Sequence, residues 1–291
     1  MNNGRATPLI VSVSYVRLAA SDLNTSARFV SDIFGLQRVA GQDDEIAFRS
    51  DDRFRTVSLG NSSESVSVGI EAWDDAALDE IGRRLRALGF AVKAATAAEC
   101  ARRYVQTALL TEDASGNHID LVVRPTCSGR RYFPPRDAGI IGFHGVGMRS
   151  TDHPRDLTFW RALGAEVSDW VGDIAYLQID GVHHRVALYP AKRNGLLYAA
   201  FEVEALDQIM HNSYFMQESQ IKIVQGPGRE AASRQMFLHV QGPDGLIFSY
   251  VNGMAEIDGK PRLARQFPLS ATSLCDWGSE SKDVPELRAP G

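Results

Sequence analysis

Six of the chain's seven histidines lie in its second half, and four of these, His144, the adjacent pair His183-His184 and His239, are candidates for chemistry. Imidazole is the side chain most able to give or take a proton near neutral pH. Tyr198, Glu230 and Ser249 stand in the same half and add a phenol, a carboxyl and a hydroxyl. His144 opens the alternating run Phe143-His144-Gly145-Val146-Gly147-Met148, where one imidazole would need further ligands to hold a metal ion. The plainer reading of any single one of these is a half-buried histidine hydrogen-bonded to backbone. His118, His153 and His211 read as surface or turn residues, and Gly226-Pro227-Gly228 reads as a turn that lacks the Lys-Ser/Thr pair of a phosphate loop.

The elements that carry these residues occur twice. Val13-Ser14-Tyr15-Val16-Arg17-Leu18 leads to Asp22 and an apolar-periodic stretch over 23–36, and Phe143 to Met148 leads to Asp152 and a second stretch over 154–163. The order recurs in Ile46-Ala47-Phe48 against Ile174-Ala175-Tyr176, in Thr56-Val57-Ser58-Leu59 against Arg185-Val186-Ala187-Leu188, and in Gly69-Ile70-Glu71 against Ala200-Phe201-Glu202. Each half closes on a turn and a strand, around Gly116 and Gly245. Period-two runs predict strands and 3.6-period runs predict helices. Each half thus reads β-α-β-β-β, with Asp22 and Asp152 as helix N-caps and further helices over 74–88 and 205–215. Residues 94–101, rich in alanine, read as helix. The expected divisions are a first domain over 1–130, a second over 136–254 that holds the cavity, and a tail over 255–291. A basic, Pro- and Gly-punctuated linker over 124–139, with Arg130, Arg131 and Arg136, is expected to be solvated at the surface.

At 291 residues and 44% hydrophobic content the chain can bury a substantial core, and a net charge of −5 without long single-sign runs gives no nucleic-acid footprint. Cys100, Cys127 and Cys275 are odd in number and far apart, which fits neither a zinc site nor a disulfide framework. The first eight residues carry no long apolar core, and no stretch reaches the ~18 apolar residues of a membrane helix. A cytoplasmic homo-oligomer without nucleic-acid or membrane partners is expected.

Over roughly residues 8 to 280 these runs resemble the two-domain type I extradiol catechol dioxygenases of the vicinal oxygen chelate superfamily. Gly259-Lys260-Pro261-Arg262 and Asp276-Trp277-Gly278 are similar to that family's C-terminal segment. The resemblance implies an α+β fold of tandem βαβββ modules in two domains. It also implies an Fe(II) site of two His and one Glu in the second. On the matching positions, His144 takes the first ligand slot. Tyr198, four residues before Glu202-Val203, takes the second, and Ser249, four residues after Gly245, the third. A phenol with a pKa of ~10 and a serine hydroxyl are poor Fe(II) ligands at neutral pH, and Leu196, Ala200, Ile247 and Val251 offer no replacement. The expectation is therefore no metal and no other cofactor. Ser14, Ser67 and Asp120 fill the corresponding slots of the first half, which is expected to bind no metal either.

The resemblance further places His184 at the family's acid–base position and His239 where a substrate-contacting Tyr stands. Glu230, in Gly228-Arg229-Glu230, stands where the family has a His. Strand alternation is expected to let only one of His183 and His184 face the cavity. The leading expectation is an enzyme acting on a small oxygenated ring without Fe(II). His184 or His239 would be its general base, Tyr198 and His144 would hydrogen-bond an oxyanion, and Glu230, Ser249 and His183 would contact substrate. Isomerisation, C–C cleavage or cofactor-free oxygenation would each suit such a site. The alternatives are an Fe(II) or Mn(II) ring-cleaving dioxygenase whose metal sits on His144 with His239 or Glu230, and a non-catalytic small-molecule-binding protein.

Overall fold

Alternating runs in the first half become β1 (Ile10–Ala19), β2 (Gln37–Val39), β3 (Glu45–Arg49), β4 (Val57–Gly60), β5 (Ser67–Ala72), β6 (Val92–Ala94), β7 (Val105–Glu112) and β8 (His118–Pro125). They pair in the order β2-β3-β4-β1-β5-β8-β7-β6. Between them lie α1 (Leu23–Arg28), α2 (Asp75–Ala87) and α3 (Ala97–Arg103). The computed structural model describes residues 7–41, 44–61, 66–257 and 262–289, so Gly259-Lys260-Pro261 lie outside the described residues.

The second half repeats the plan. It comprises β9 (Ile140–Ser150), α4 (His153–Leu163), β10 (Glu166–Val171), β11 (Ile174–Gln178), β12 (Val186–Pro190), β13 (Gly195–Val203), α5 (Leu206–Glu218), β14 (Ile223–Arg229), β15 (Met236–Gln241) and β16 (Ile247–Asn252). Its sheet runs β14-β15-β16-β13-β9-β12-β11-β10, and β17 (Arg265–Phe267) adds from the tail, parallel to β10. The fold is α+β with tandem βαβββ modules, two per half rather than the one expected. The second module of each half was under-read because its outer strands are short or irregular: β6 has three residues, and β14 runs through the Gly226–Gly228 turn sequence.

Local chemistry sets the helix starts. Asp22 accepts from the backbone N–H groups of Asn24 (2.9 Å) and Thr25 (3.1 Å), and Asp152 from that of Arg155, as N-caps do. The stretch expected to be helical over 23–36 changes to a π-helical turn at Phe29–Phe34 and stops at Gly35, whose φ of 96° suits glycine. Residues 94–101 divide, because a Thr96–Glu99 capping box starts α3 after β6 has ended. The small helix α6 (Ala271–Leu274) lies in the tail.

One hydrophobic core runs across both halves. Phe34 stacks on Tyr250 with centroids 4.3 Å apart and meets Phe201 and Phe248 at 5.2 and 5.1 Å, while Phe90 meets Phe159 edge-on at 5.1 Å. The closing turn of each half caps the first helix of the other. Ser115 Oγ accepts from the N–H of Thr151 at 2.7 Å, and Asp244 accepts from the N–H and hydroxyl of Ser21 at 2.9 and 2.6 Å. The reading of the linker as wholly solvated is corrected by the same interface. Arg136 donates to Ile33 O, Asn212 Oδ1 and Tyr250 Oη at 2.8–2.9 Å and lies 4.2 Å from the Phe215 ring, because those acceptors are buried between the halves. Among the described residues no helix is long and apolar enough to cross a membrane. Truncating the fully buried Phe34 to alanine should cost about 3–5 kcal/mol. Chemical denaturation would read this, and a loss under 1 kcal/mol would show that the halves do not depend on this contact.

Candidate active site

The strand order β15-β16-β13-β9 carries His239, Ser249, Tyr198 and His144 on four contiguous strands. His239 pairs across to Ser249, and Ser249 to Ala200. On one face of this sheet a cluster of Tyr176, Tyr189, Tyr198, Ala200 and Phe237 is buried apart from the shared core. Gly147 is what lets the phenol of Tyr198 lie across β9, since a Cβ there would come within 2.3 Å of the ring. Tyr198 Oη is 3.4 Å from Tyr189 Oη, and the His239 ring lies 5.0 Å from that of Tyr198 and 4.7 Å from that of Phe237. His239 Nδ1 and Ser249 Oγ are buried without a hydrogen-bond partner, the condition of groups awaiting a ligand or water.

Burial sets the charge states here, because it penalises whichever form is ionised. It pushes His239 down to about 3, holds His184 well below the ordinary imidazole range, and lowers His144 against the opposing pull of Glu202. It raises the Tyr176, Tyr189 and Tyr198 phenols well above 10 and lifts Glu230 to about 7, partly offset by the hydroxyl of Ser233 that donates to it. At neutral pH these imidazoles and phenols are uncharged. Glu230 sits near its midpoint.

His144 is held at both ring nitrogens. Arg185 Nη1 lies 3.0 Å from Nδ1 and can only donate, so the proton belongs on Nε2. The Gln235 amide 3.1 Å from Nε2 is then oriented with its oxygen as the acceptor. Glu202 stands 3.6 Å from Nδ1. Strand alternation does not apply to His183 and His184, because both precede β12 in irregular backbone. Both rings are buried, with Nδ1 to Nδ1 at 3.1 Å, and His183 Nε2 is 2.8 Å from Asp169 Oδ2.

The sequence reading missed Asp169, Arg185, Gln235, Tyr176 and Tyr189. A signal existed for Asp169, a charged residue inside the alternating run Val167–Val171. His118 and His211 are exposed as expected, but His153 is half-buried against Trp170 at 6.1 Å, so its surface reading is corrected. In the first half Asp120 accepts from Ser67, Tyr15 and Arg103 at 2.7–2.9 Å, and Arg55 lies between the rings of Tyr15 and Tyr104.

Residues 142–250 match the Glyoxalase/Bleomycin resistance protein/Dioxygenase superfamily, so the second half carries a domain of that superfamily. The chain is 24% identical over 295 residues to an iron-dependent extradiol dioxygenase of Rhodococcus jostii, covering 93% of this chain and 97% of the relative. It is 25% identical over 270 residues to the 3-methylcatechol 2,3-dioxygenase of Pseudomonas putida, covering 85% and 91%. The Mn(II)-bound glyoxalase from Novosphingobium aromaticivorans superposes with a TM-score of 0.85 at 20% identity, covering 98% of this chain and 96% of that one.

These relatives overturn the expectation of no cofactor, since their names carry iron and manganese and point to a metal cofactor rather than none. The side chains as arranged do not offer a ready ligand set for it. Both His144 nitrogens are engaged, and among the described residues no group of three or more His, Cys, Asp or Glu is placed to hold a metal ion.

A buried carboxyl near 7 contributes a stability that is whole below its ordinary value of 4.5 and is lost as pH rises through 7. Glu230→Gln should therefore remove a loss of about 3 kcal/mol between pH 4.5 and pH 8. Urea denaturation at the two pH values would measure it, and an unchanged pH dependence would place the charge of Glu230 in contact with solvent or a cation.

Proposed function

We propose that the tyrosine-lined face of the second half is the active site of an extradiol-dioxygenase-like enzyme whose substrate is a small aromatic ring bearing oxygen substituents. The observation that carries this reading is the pair of buried, unpartnered atoms, His239 Nδ1 and Ser249 Oγ, beside an uncharged His184 and a tyrosine-lined face. An acidic ring hydroxyl suits such a face: its aromatic plane packs on Tyr198 and Phe237, and its hydroxyls satisfy the unpartnered nitrogen and oxygen.

His184, neutral because it is desolvated, takes the proton of the ring hydroxyl as general base. Tyr198, whose raised pKa keeps its proton in place, donates a hydrogen bond to the phenolate so formed. Glu230, poised near 7, can return a proton to a later anionic species at neutral pH. His144 is fixed by Arg185 and Gln235 at the rim of this face. Relatives with the same fold carry extradiol dioxygenase names, which supports ring cleavage over isomerisation as the reaction class.

The test is turnover of catechol and 3-methylcatechol in air by protein loaded anaerobically with Fe(II) or Mn(II), beside chelator-treated protein. Ring-opened product is expected with a loaded ion, and His184→Ala should slow its formation by ~10²–10⁴-fold with little change in substrate affinity. No product under any loading, or a His184→Ala variant as fast as the parent, would contradict the assignment.

A further inference from the structure

We propose that Asp169 and His183 are positioning residues that fix the tautomer of His184, so that its Nε2 is unprotonated and serves as the base. The proposal rests on the general-base role of His184 given above.

Charge at one end of three side chains fixes the proton position at the other. Asp169 is fully buried, which by itself would raise its carboxyl, but hydrogen bonds from His183, Arg265 and Arg262 outweigh this and hold it well below the ordinary range. The two arginines come from the tail: Arg265 donates to Asp169 Oδ2 through Nη2 at 2.6 Å and Nε at 3.0 Å, and Arg262 Nη2 lies 2.9 Å from Oδ1. An ionised carboxylate only accepts, so His183 Nε2, 2.8 Å away, carries the proton. In the neutral ring of His183, Nδ1 then carries the lone pair. His184 Nδ1, 3.1 Å from that lone pair, must donate to it. The remaining nitrogen of His184, Nε2, is left as the acceptor.

The backbone holds this arrangement from both sides. His183 N–H donates to Ala255 O at 2.9 Å, and its carbonyl accepts from the Ser168 hydroxyl, next to Asp169 in β10. His184 N–H points to the Met254 sulfur at 3.3 Å, and its ring packs on Tyr176 at 4.6 Å. The segment after β16 and β17 thus clamp the chain from Asp169 to His184. When His184 Nε2 takes a proton, the imidazolium charge is shared through His183 toward the Asp169 carboxylate, which is the service a buried carboxylate renders a catalytic histidine. Removing that carboxylate should leave substrate binding intact and reduce turnover.

The test reads the tautomers directly, by long-range ¹H–¹⁵N NMR on the full chain labelled with ¹⁵N-histidine at pH 8, with His183→Gln and His184→Gln variants for assignment. His184 is expected to be protonated on Nδ1 and His183 on Nε2. In Asp169→Asn the amide can donate to His183 Nε2, so both rings should exchange tautomer, and kcat should fall by ~10²–10⁴-fold at unchanged KM. A His184 protonated on Nε2 in the parent protein would overturn the proposal, as would parent tautomers persisting in folded Asp169→Asn. If Asp169→Asn does not fold, the parent spectrum alone decides. The expected tautomers in a protein that turns over no catechol would count against the enzymatic reading and leave this one standing.

Discussion

The withdrawal of ionisable side chains from water on the tyrosine-lined face of the second half governs this molecule. A buried charge is retained only if it is paired; otherwise the group becomes neutral. His239, with no partner at Nδ1, is neutral, and so are the three tyrosines beside it. Asp169 keeps its charge because two arginines and a histidine surround it. The second half therefore buries uncharged imidazoles and phenols together with one anchored anion.

The first half meets the same burial differently. Its buried charges are tied into ion pairs, with Arg17 and Arg55 on Glu45 and Arg103 on Asp120. Buried polar atoms without a partner occur in both halves, Ser14 Oγ among them in the first and His239 Nδ1 and Ser249 Oγ in the second. The first half also serves the second, because Phe34, Arg136 and the Ser115 turn hold the second sheet in place.

Much of this was legible in the sequence, where the duplication and the capping aspartates are local patterns. The second module of each half was not, because a three-residue strand such as β6 carries too few residues for a period to show. At the site, His144, Tyr198, Ser249 and His239 were singled out through the family resemblance, and they lie on adjacent strands. The premise of strand alternation at His183 and His184 does not apply, since these two residues precede a strand. Asp169 could not have been joined to its partners: Arg265 lies 96 residues away, and only folding of the tail brings them together. The expectation of no metal rested on ligand chemistry at three positions, and relatives with iron and manganese in their names set it aside.

The most direct measurement is a crystal structure of the protein grown anaerobically with catechol. The account predicts the ring on the tyrosine-lined face of the second half, packed on Tyr198 and Phe237, with one hydroxyl within hydrogen-bonding reach of His184 Nε2. Catechol bound in the first half or between the halves, with the His184 face unoccupied, would contradict it.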